Sequence, residues 1–380
     1  PEYTNGIDNI LYDVAPTRSW GWVSNVIASP DSTNTPQEIM AWHVDADLKN
    51  LFNSVTTNSA IGLHLSELNF RSFTIETYNA TTAAWVSAAT VDNSVSGGMT
   101  FTRTGGTVLS STTSGNYIEF GEAKNWKIQL DDGAGNVVVR TIKYNGDGVM
   151  GITASTTKQA KFLIENAQST DPTSGTAHII PSSCTVIFEA AVFSSIRITM
   201  PAQRTQEGCF KIGMMILGEC VIPGQQYSRG RSITFNADVA TDEQFNGVLR
   251  SQKTGIGGRS TRIAWTEGVD TSQLNNSPAT PDYYKLQTTG SVVASVGSAP
   301  SVMIGLIRHL SGSLNPPVYL PSLEVGTGAP IVLNRYNEHT LCTMGNDVEI
   351  QNVIGSELQG TSGDWGEVFR VGTVTLREIR

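Results

Sequence analysis

The chain has 380 residues, of which 16% are charged, against roughly 25% in typical soluble domains. Its length exceeds one ordinary core and predicts two or three domains. The formal net charge of −9 argues against a broad cationic surface for specific nucleic-acid binding, and the sequence lacks the run of about 18 apolar residues that a membrane-spanning helix requires.

The cysteines indicate where the chain is made. Residues 1–5 have neither the basic nor the apolar region of a secretory signal, so we expect synthesis in a reducing cytoplasm. In that compartment all four cysteines are expected to be buried thiols, although a bridge between the second and third is geometrically possible. These residues are Cys184, Cys209, Cys220 and Cys342.

Strand patterns follow one another along the first half of the chain. Residues 36–52 fit either a strand or a helix, whereas residues 60–65 and 73–77 read as strands. The clearest hairpin joins residues 126–130 to residues 137–142. Both segments are apolar, and the sequence Asp-Asp-Gly-Ala-Gly-Asn between them is typical of a turn.

The second half continues this pattern with one predicted helix. Residues 196–200 alternate, and residues 210–218 are apolar on both faces, as in a strand that is covered on both sides. A Thr-x-x-Gln capping box and an apolar face predict a helix over residues 241–251. The apolar register of the last strand changes at Gly372, which predicts a β-bulge there.

Three stretches rich in turn residues predict the domain boundaries. They are residues 92–98, 169–176 and 221–231. The first two flank a block with its own hairpin, so we expect a β-rich domain, residues 93–180, inserted into a larger one. The third separates a C-terminal β-domain, residues 221–380. The fold class predicted from these patterns is all-β.

Two segments resemble a known type of domain. They are residues 58–76, in which an Asn and small residues precede an alternating strand, and residues 195–218, which end in apolar-Gly-x-apolar-x-apolar form. Together they resemble the discoidin-like, or galactose-binding-like, jelly-roll domains of bacteriophage tail proteins. This resemblance implies a jelly-roll β-sandwich made from residues 1–92 and 181–220.

The layout of the C-terminal block extends the resemblance. Residues 251–265 read as a strand, a Gly-rich crossover and a second strand, and residues 368–380 form a terminal amphipathic strand. This layout is similar to that of phage tail-tip proteins, in which a second β-barrel or β-sandwich domain follows the first domain.

The resemblance implies a function as well as a fold. It implies a virion structural protein of a tail tip or baseplate, assembled in the host cytoplasm and then located in the tail. Its partners would be copies of itself in a ring and other phage tail proteins, and the ring would join the tail tube to fibres or receptor-binding parts. Neither a cofactor nor an enzymatic activity is expected.

Four tryptophans suggest an alternative function. Exposed aromatic rings can stack on sugars, so these residues are a candidate platform for a host-surface glycan, and the chain would then be a carbohydrate-binding module for host adsorption. Their other interpretation is packing in the core or at a subunit contact. The residues are Trp20, Trp22, Trp42 and Trp85.

A basic stretch stands out in the acidic chain. We expect it to form an inter-subunit loop that docks on an acidic neighbour, and the alternative is contact with DNA in a tail lumen. Its residues are Arg250, Lys253, Arg259 and Arg262.

The sequence motifs give little support to a catalytic function or to a metal site. The sequence has no HExxH, G-x-S-x-G or phosphate-loop motif, although paired carboxylates that meet only in space remain open. His43, Asp45 and Asp47 would share one face of a strand and form a possible cation site, or else an ordinary solvent face. Residues 131–136 are expected to form a turn rather than a cation loop.

Overall fold

The structure, a computed structural model, is all-β in its described part. No described residue lies in a helix, so the predicted fold class is confirmed. The described residues are 22–24, 26–43, 59–79, 81–95, 98–112, 122–146, 158–190, 195–219, 232–235, 239–243, 249–253, 258–263, 269–270, 285–286, 292–293, 317–320, 330–335, 338–344, 350–353, 368–371 and 373–378.

The strands are numbered in chain order. Those of the first 220 residues are β1 (Trp22–Val23), β2 (Gln37–His43), β3 (Ser59–Ser66), β4 (Ser72–Asn79), β5 (Ala84–Asp92), β6 (Met99–Thr104), β7 (Thr107–Thr112), β8 (Lys127–Asp131), β9 (Val137–Gly146), β10 (Lys158–Ile164), β11 (Ser174–Ile180), β12 (Cys184–Ala190), β13 (Ser195–Met200), β14 (Lys211–Ile212) and β15 (Met214–Glu219).

The later strands are mostly shorter. They are β16 (Ser232–Phe235), β17 (Val239–Glu243), β18 (Leu249–Lys253), β19 (Arg259–Ile263), β20 (Val269–Asp270), β21 (Lys285–Leu286), β22 (Val292–Val293), β23 (Val318–Tyr319), β24 (Ile331–Leu333), β25 (Thr340–Met344), β26 (Ile350–Val353), β27 (Val368–Val371) and β28 (Val374–Glu378).

The chain forms two compact units. The first contains residues 1–220 together with residues 288–291 and 321–339, and the second contains the rest of the chain. Strand β24 therefore belongs to the first unit, although it lies late in the sequence. The predicted domain limits at residues 92, 180 and 220 stay predictions.

Two antiparallel sheets form a β-sandwich in the first unit. One has the strand order β2-β13-β4-β5, and in the other β15, β3, β12 and β24 are neighbours in that order. Buried and less buried residues alternate along β4 and β13, so one face of that sheet carries core side chains. The largest fully buried core residues are Ile61, Leu63, Leu65, Phe70, Phe73, Ile75, Phe188 and Phe210.

The second of these sheets is also covered on its other face. His64 of β3 and Thr185 of β12 point away from the core, yet both are buried. Met214 and Met215 of β15 are both buried as well. This agrees with the prediction from the apolar run over residues 210–218, except that Gly213 divides the run into β14 and β15.

The strands between residues 99 and 180 close into a barrel. Its strand order is β10-β7-β6-β11-β8-β9, and β9 pairs with β10 to complete the ring. The predicted hairpin is confirmed as β8 and β9. Alternate residues fill the interior, as in β6, where Met99 and Phe101 are buried and the intervening threonines are exposed.

An ion pair connects the barrel to the segment that precedes the sandwich. The guanidinium of Arg140 in β9 binds the partly exposed carboxylate of Asp31 at 2.7 Å, and it also binds the buried carboxylate of Asp171, between β10 and β11 of the barrel, at 2.5 Å. Arg204 donates hydrogen bonds to the carbonyl oxygens of Asp31 and Val137. The barrel is therefore held to the rest of the first unit by charged side chains as well as by the backbone.

The second unit corrects one prediction. Residues 239–243 pair with residues 249–253 as β17 and β18, so the helix predicted over residues 241–251 is wrong. The capping-box pattern describes only local preference, and cross-strand pairing prevails over it here. Gly372, where a β-bulge was predicted, lies outside the described residues, and the strands before and after it, β27 and β28, belong to different sheets.

Three thiols are free and buried, as predicted. They belong to Cys184, Cys209 and Cys342, so Cys209 does not form the bridge to Cys220 that spacing allowed. Burial raises the pKa of Cys342 to about 12, and it raises those of Cys184 and Cys209 as well. Thiols protonated to this extent are poor nucleophiles.

Candidate functional site

The outer face of the sheet β2-β13-β4-β5 carries a cluster of aromatic and charged side chains. In β4, Phe73 and Ile75 point into the core, so Glu76 and Tyr78 lie on the opposite, outer face of the sheet. The pairing of β4 with β5 shifts register between Ile75 and Glu76. In β13, Ile196 and Ile198 point inward, and Arg197 lies between them on the outer face. Period-two alternation on neighbouring strands thus brings these side chains together.

Trp85 of β5 is the centre of this cluster. Its ring meets that of Tyr78 edge to face, with 5.3 Å between the ring centroids, and the two residues are direct cross-strand partners. The guanidinium carbon of Arg197 lies 4.4 Å from the centroid of the Trp85 ring. Both distances suit favourable aromatic and cation–π contacts, and the Trp85 side chain remains half-buried.

Carboxylates fix the position of Arg197. Its Nε donates to Glu76 at 2.7 Å, a second nitrogen donates to the other Glu76 oxygen at 3.2 Å, and Glu38 lies at 3.3 Å. Thr199 donates a further hydrogen bond to Glu76. The hydrogen bonds from Arg197 hold the pKa of Glu76 below its ordinary value, so this carboxylate stays ionised at neutral pH.

This arrangement is suited to binding. Two aromatic rings and a guanidinium are held in place before any ligand arrives, which lowers the entropic cost of binding. Tyr, Trp and Arg are also the residues that dominate protein–protein contacts, and aromatic rings stack on sugars. The charges of Arg197 and Glu76 neutralise each other within the cluster.

The structure describes the backbone of three of the four tryptophans predicted as a platform. Trp85 lies on the outer sheet face, outside the core, and Trp42 belongs to β2 of the same sheet, where its backbone pairs with Ile196. Trp22 lies in β1, which pairs with β14, and Trp20 is outside the described residues. Only Trp85 has a described side chain, so the platform as a whole stays a prediction.

The predicted basic loop consists largely of strand residues. Arg250 and Lys253 lie in β18, while Arg259 and Arg262 lie in β19. Arg259 is buried, its backbone N–H donates to Glu378, and its guanidinium donates to the hydroxyl of Thr340. Arg262 is exposed. An inter-subunit role for this stretch stays a prediction.

A buried pair of imidazoles was missed by the sequence reading. The rings of His64 and His339 meet edge to face at 5.3 Å between centroids. The hydroxyls of Thr185 and Ser183 lie 2.9 Å and 3.0 Å from the respective ring nitrogens. Burial lowers the pKa of His64 to about 4, so this ring is neutral at physiological pH. The partners are 121 and 156 residues apart in sequence, and no local motif reveals them.

The structure describes one of the two candidate cation sites and not the other. The carboxylates of Asp131 and Asp132 accept hydrogen bonds from backbone N–H groups of their own turn, which confirms the turn interpretation of residues 131–136. Asp45 and Asp47 lie outside the described residues. Within the described part of the chain, no three His, Cys, Asp or Glu side chains group as metal ligands.

Among the residues that the structure describes, no helix is long and apolar enough to cross a membrane.

Comparison with known proteins adds no relative. No family model, curated protein or solved structure matches the chain.

Proposed function

We propose that the chain is a structural protein of a phage tail tip or baseplate, present as several copies in a ring. In that position it would join the tail tube to fibres or receptor-binding parts. The observation that carries the proposal is the ionic connection between the barrel and the rest of the first unit, made by Arg140 and Asp31, with Arg140 also bound to Asp171 inside the barrel segment.

This connection favours a mechanical role. The barrel is already attached by its two chain connections, and the Arg140–Asp31 ion pair adds a third contact that opposes rotation. Arg140 also pairs with the buried Asp171, and removing one partner of a buried pair typically costs about 3–5 kcal/mol, because the other charge is left uncompensated. The low charged fraction of 16% also suits a protein whose surface is largely covered by neighbouring subunits.

A carbohydrate-binding module for host adsorption is the second candidate. It is favoured by Trp85, which is half-buried beside Tyr78 on an outer sheet face rather than packed in the core. If this candidate is correct, a glycan array will detect binding that Trp85→Ala abolishes. Tyr144→Ala is the control, because Tyr144 is an aromatic residue of the barrel whose side chain is exposed.

The experiment for the first proposal uses the phage that encodes the chain. We expect mass spectrometry to find the chain in purified particles, in stoichiometric amounts with other tail proteins. Deleting its gene should yield particles that lack tails or fibres and do not infect. Intact, infectious particles without the chain would contradict the structural role.

A further inference from the structure

The carboxylate of Glu207 binds a lysine through one oxygen and an asparagine through the other. The amine Nζ of Lys127 donates a hydrogen bond to Oε1 at 2.5 Å, and the amide Nδ2 of Asn69 donates one to Oε2 at 2.9 Å. Lys127 begins β8 of the barrel, whereas Asn69 lies between β3 and β4 of the sandwich. A single carboxylate group therefore separates a primary amine of the barrel from a carboxamide of the sandwich.

The carboxamide of Asn69 is buried and held in one orientation. The residue is only 3% exposed. Its Nδ2 donates a second hydrogen bond to the carbonyl oxygen of Cys209 at 2.8 Å, and its Oδ1 accepts one from the backbone N–H of Lys211 at 2.9 Å. If a nucleophile adds to Cγ of Asn69, that N–H stabilises the negative charge that develops on Oδ1, as a donor in an oxyanion hole does.

The amine of Lys127 is positioned as well. Its Nζ donates to the hydroxyl of Thr141 at 2.9 Å and to Oε1 of Gln206 at 3.3 Å, in addition to Glu207. Holding two reacting groups beside each other removes much of the entropic cost of their encounter. Burial opposes ionisation of Glu207, but Lys127 and the hydrogen bond from Asn69 hold its pKa below the ordinary value, so this carboxylate can accept a proton.

We propose that Lys127 and Asn69 form an amide bond between their side chains, with Glu207 as the proton carrier. The Lys127 ammonium gives one proton to Glu207, and the neutral amine adds to Cγ of Asn69. Glu207 then protonates Nδ2, the Cγ–Nδ2 bond breaks, and the proton left on Nζ passes to Glu207. Ammonia leaves with that proton as ammonium, so the reaction needs no oxidant, metal or other reactant.

The product is a covalent cross-link between the barrel and the sandwich. The ion pairs and hydrogen bonds that join them can open, whereas an amide bond keeps them together even in the unfolded chain. The inference goes beyond the proposed function and does not rest on it, because it concerns three side chains of one molecule and is tested on the purified protein.

Mass spectrometry of the purified full chain under denaturing conditions tests the bond. We expect a mass lower than that of the sequence by one ammonia molecule, and a proteolytic fragment in which the peptides with residues 69 and 127 are joined. Lys127→Arg keeps a cation beside Glu207 but cannot form the amide, so this variant should have the full mass of its sequence. Lys161→Arg, at an exposed lysine of β10, is the matched control and should still show the loss.

A further variant tests the proton carrier. In Glu207→Gln the contact to Asn69 can persist but no carboxylate is present to accept a proton, so the joined peptide should form at least about 100-fold more slowly. A wild-type chain with the full mass of its sequence and no joined peptide overturns the inference, and this result depends on no variant. Formation of the joined peptide at the wild-type rate in Glu207→Gln would overturn the role given to Glu207.

Discussion

Acid should destabilise the first unit through His64. This side chain is only 3% exposed, and its pKa is about 4 in the folded protein against 6.5 as the ordinary value. Between about pH 6.5 and pH 4 the unfolded chain therefore binds more protons than the folded chain, so this contribution to stability falls as pH falls through that range. It is fully present above pH 6.5 and is lost completely below about pH 4.

The size of the effect follows from the two pKa values. Each pH unit between them changes the free energy of unfolding by about 1.4 kcal/mol, which gives a total of about 3 kcal/mol. Between about pH 7 and pH 5 the loss attributable to His64 is about 2 kcal/mol. Carboxylates with lowered pKa values, such as Glu76, also lose stabilisation in acid, so the comparison must isolate the histidine.

His64→Gln isolates it, because glutamine keeps a polar contact to Thr185 without titrating. Denaturant unfolding of both chains, followed by the transition of the first unit, should show the variant losing about 2 kcal/mol less than wild type between pH 7 and pH 5. His178→Gln is the control; this ring is only half-buried and should have a smaller effect. A wild-type-minus-variant difference that does not change with pH would refute the reasoning, as would a His64 NMR titration centred above pH 6.

Two further substitutions test backbone and electrostatic packing. Gly175→Ala should destabilise the barrel by at least about 3 kcal/mol, because φ is +137° and the new Cβ would lie 2.0 Å from a backbone carbonyl oxygen. Gly133→Ala, at φ +74° in open space, should cost only about 1 kcal/mol; equal costs would contradict the account. Arg140→Met leaves the buried carboxylate of Asp171 without its cation and should cost about 3–5 kcal/mol in denaturant unfolding. Arg71→Met removes a more exposed ion pair and should cost at most about 1 kcal/mol, and a reversed order would be inconsistent with the burial of Arg140.

The elements that the sequence predicts well are those set by local chemistry. The hairpin of β8 and β9 follows from apolar segments around a turn in which Asp131 and Asp132 bind their own backbone. The alternation in β4 and β13 likewise follows from one buried and one open sheet face. These features need no information from distant parts of the chain.

The features that sequence reading misses depend on distant partners. Closure of the barrel requires β9 to pair with β10, and the helix predicted over residues 241–251 fails because β17 pairs with β18. In the candidate site, Trp85 is recognisable as an exposed aromatic candidate, but the guanidinium above it comes from residue 197. The register that brings Arg197 beside Trp85 is set by strand pairing, which no local pattern specifies.

A cryo-electron microscopy map of the phage particle tests the structural proposal most directly. The account predicts density for the sandwich and its barrel repeated around the tail axis at the tip, with the barrel in one fixed orientation on every copy. A map in which the chain is missing from the tail, or in which the barrel takes many orientations relative to the sandwich, would contradict it.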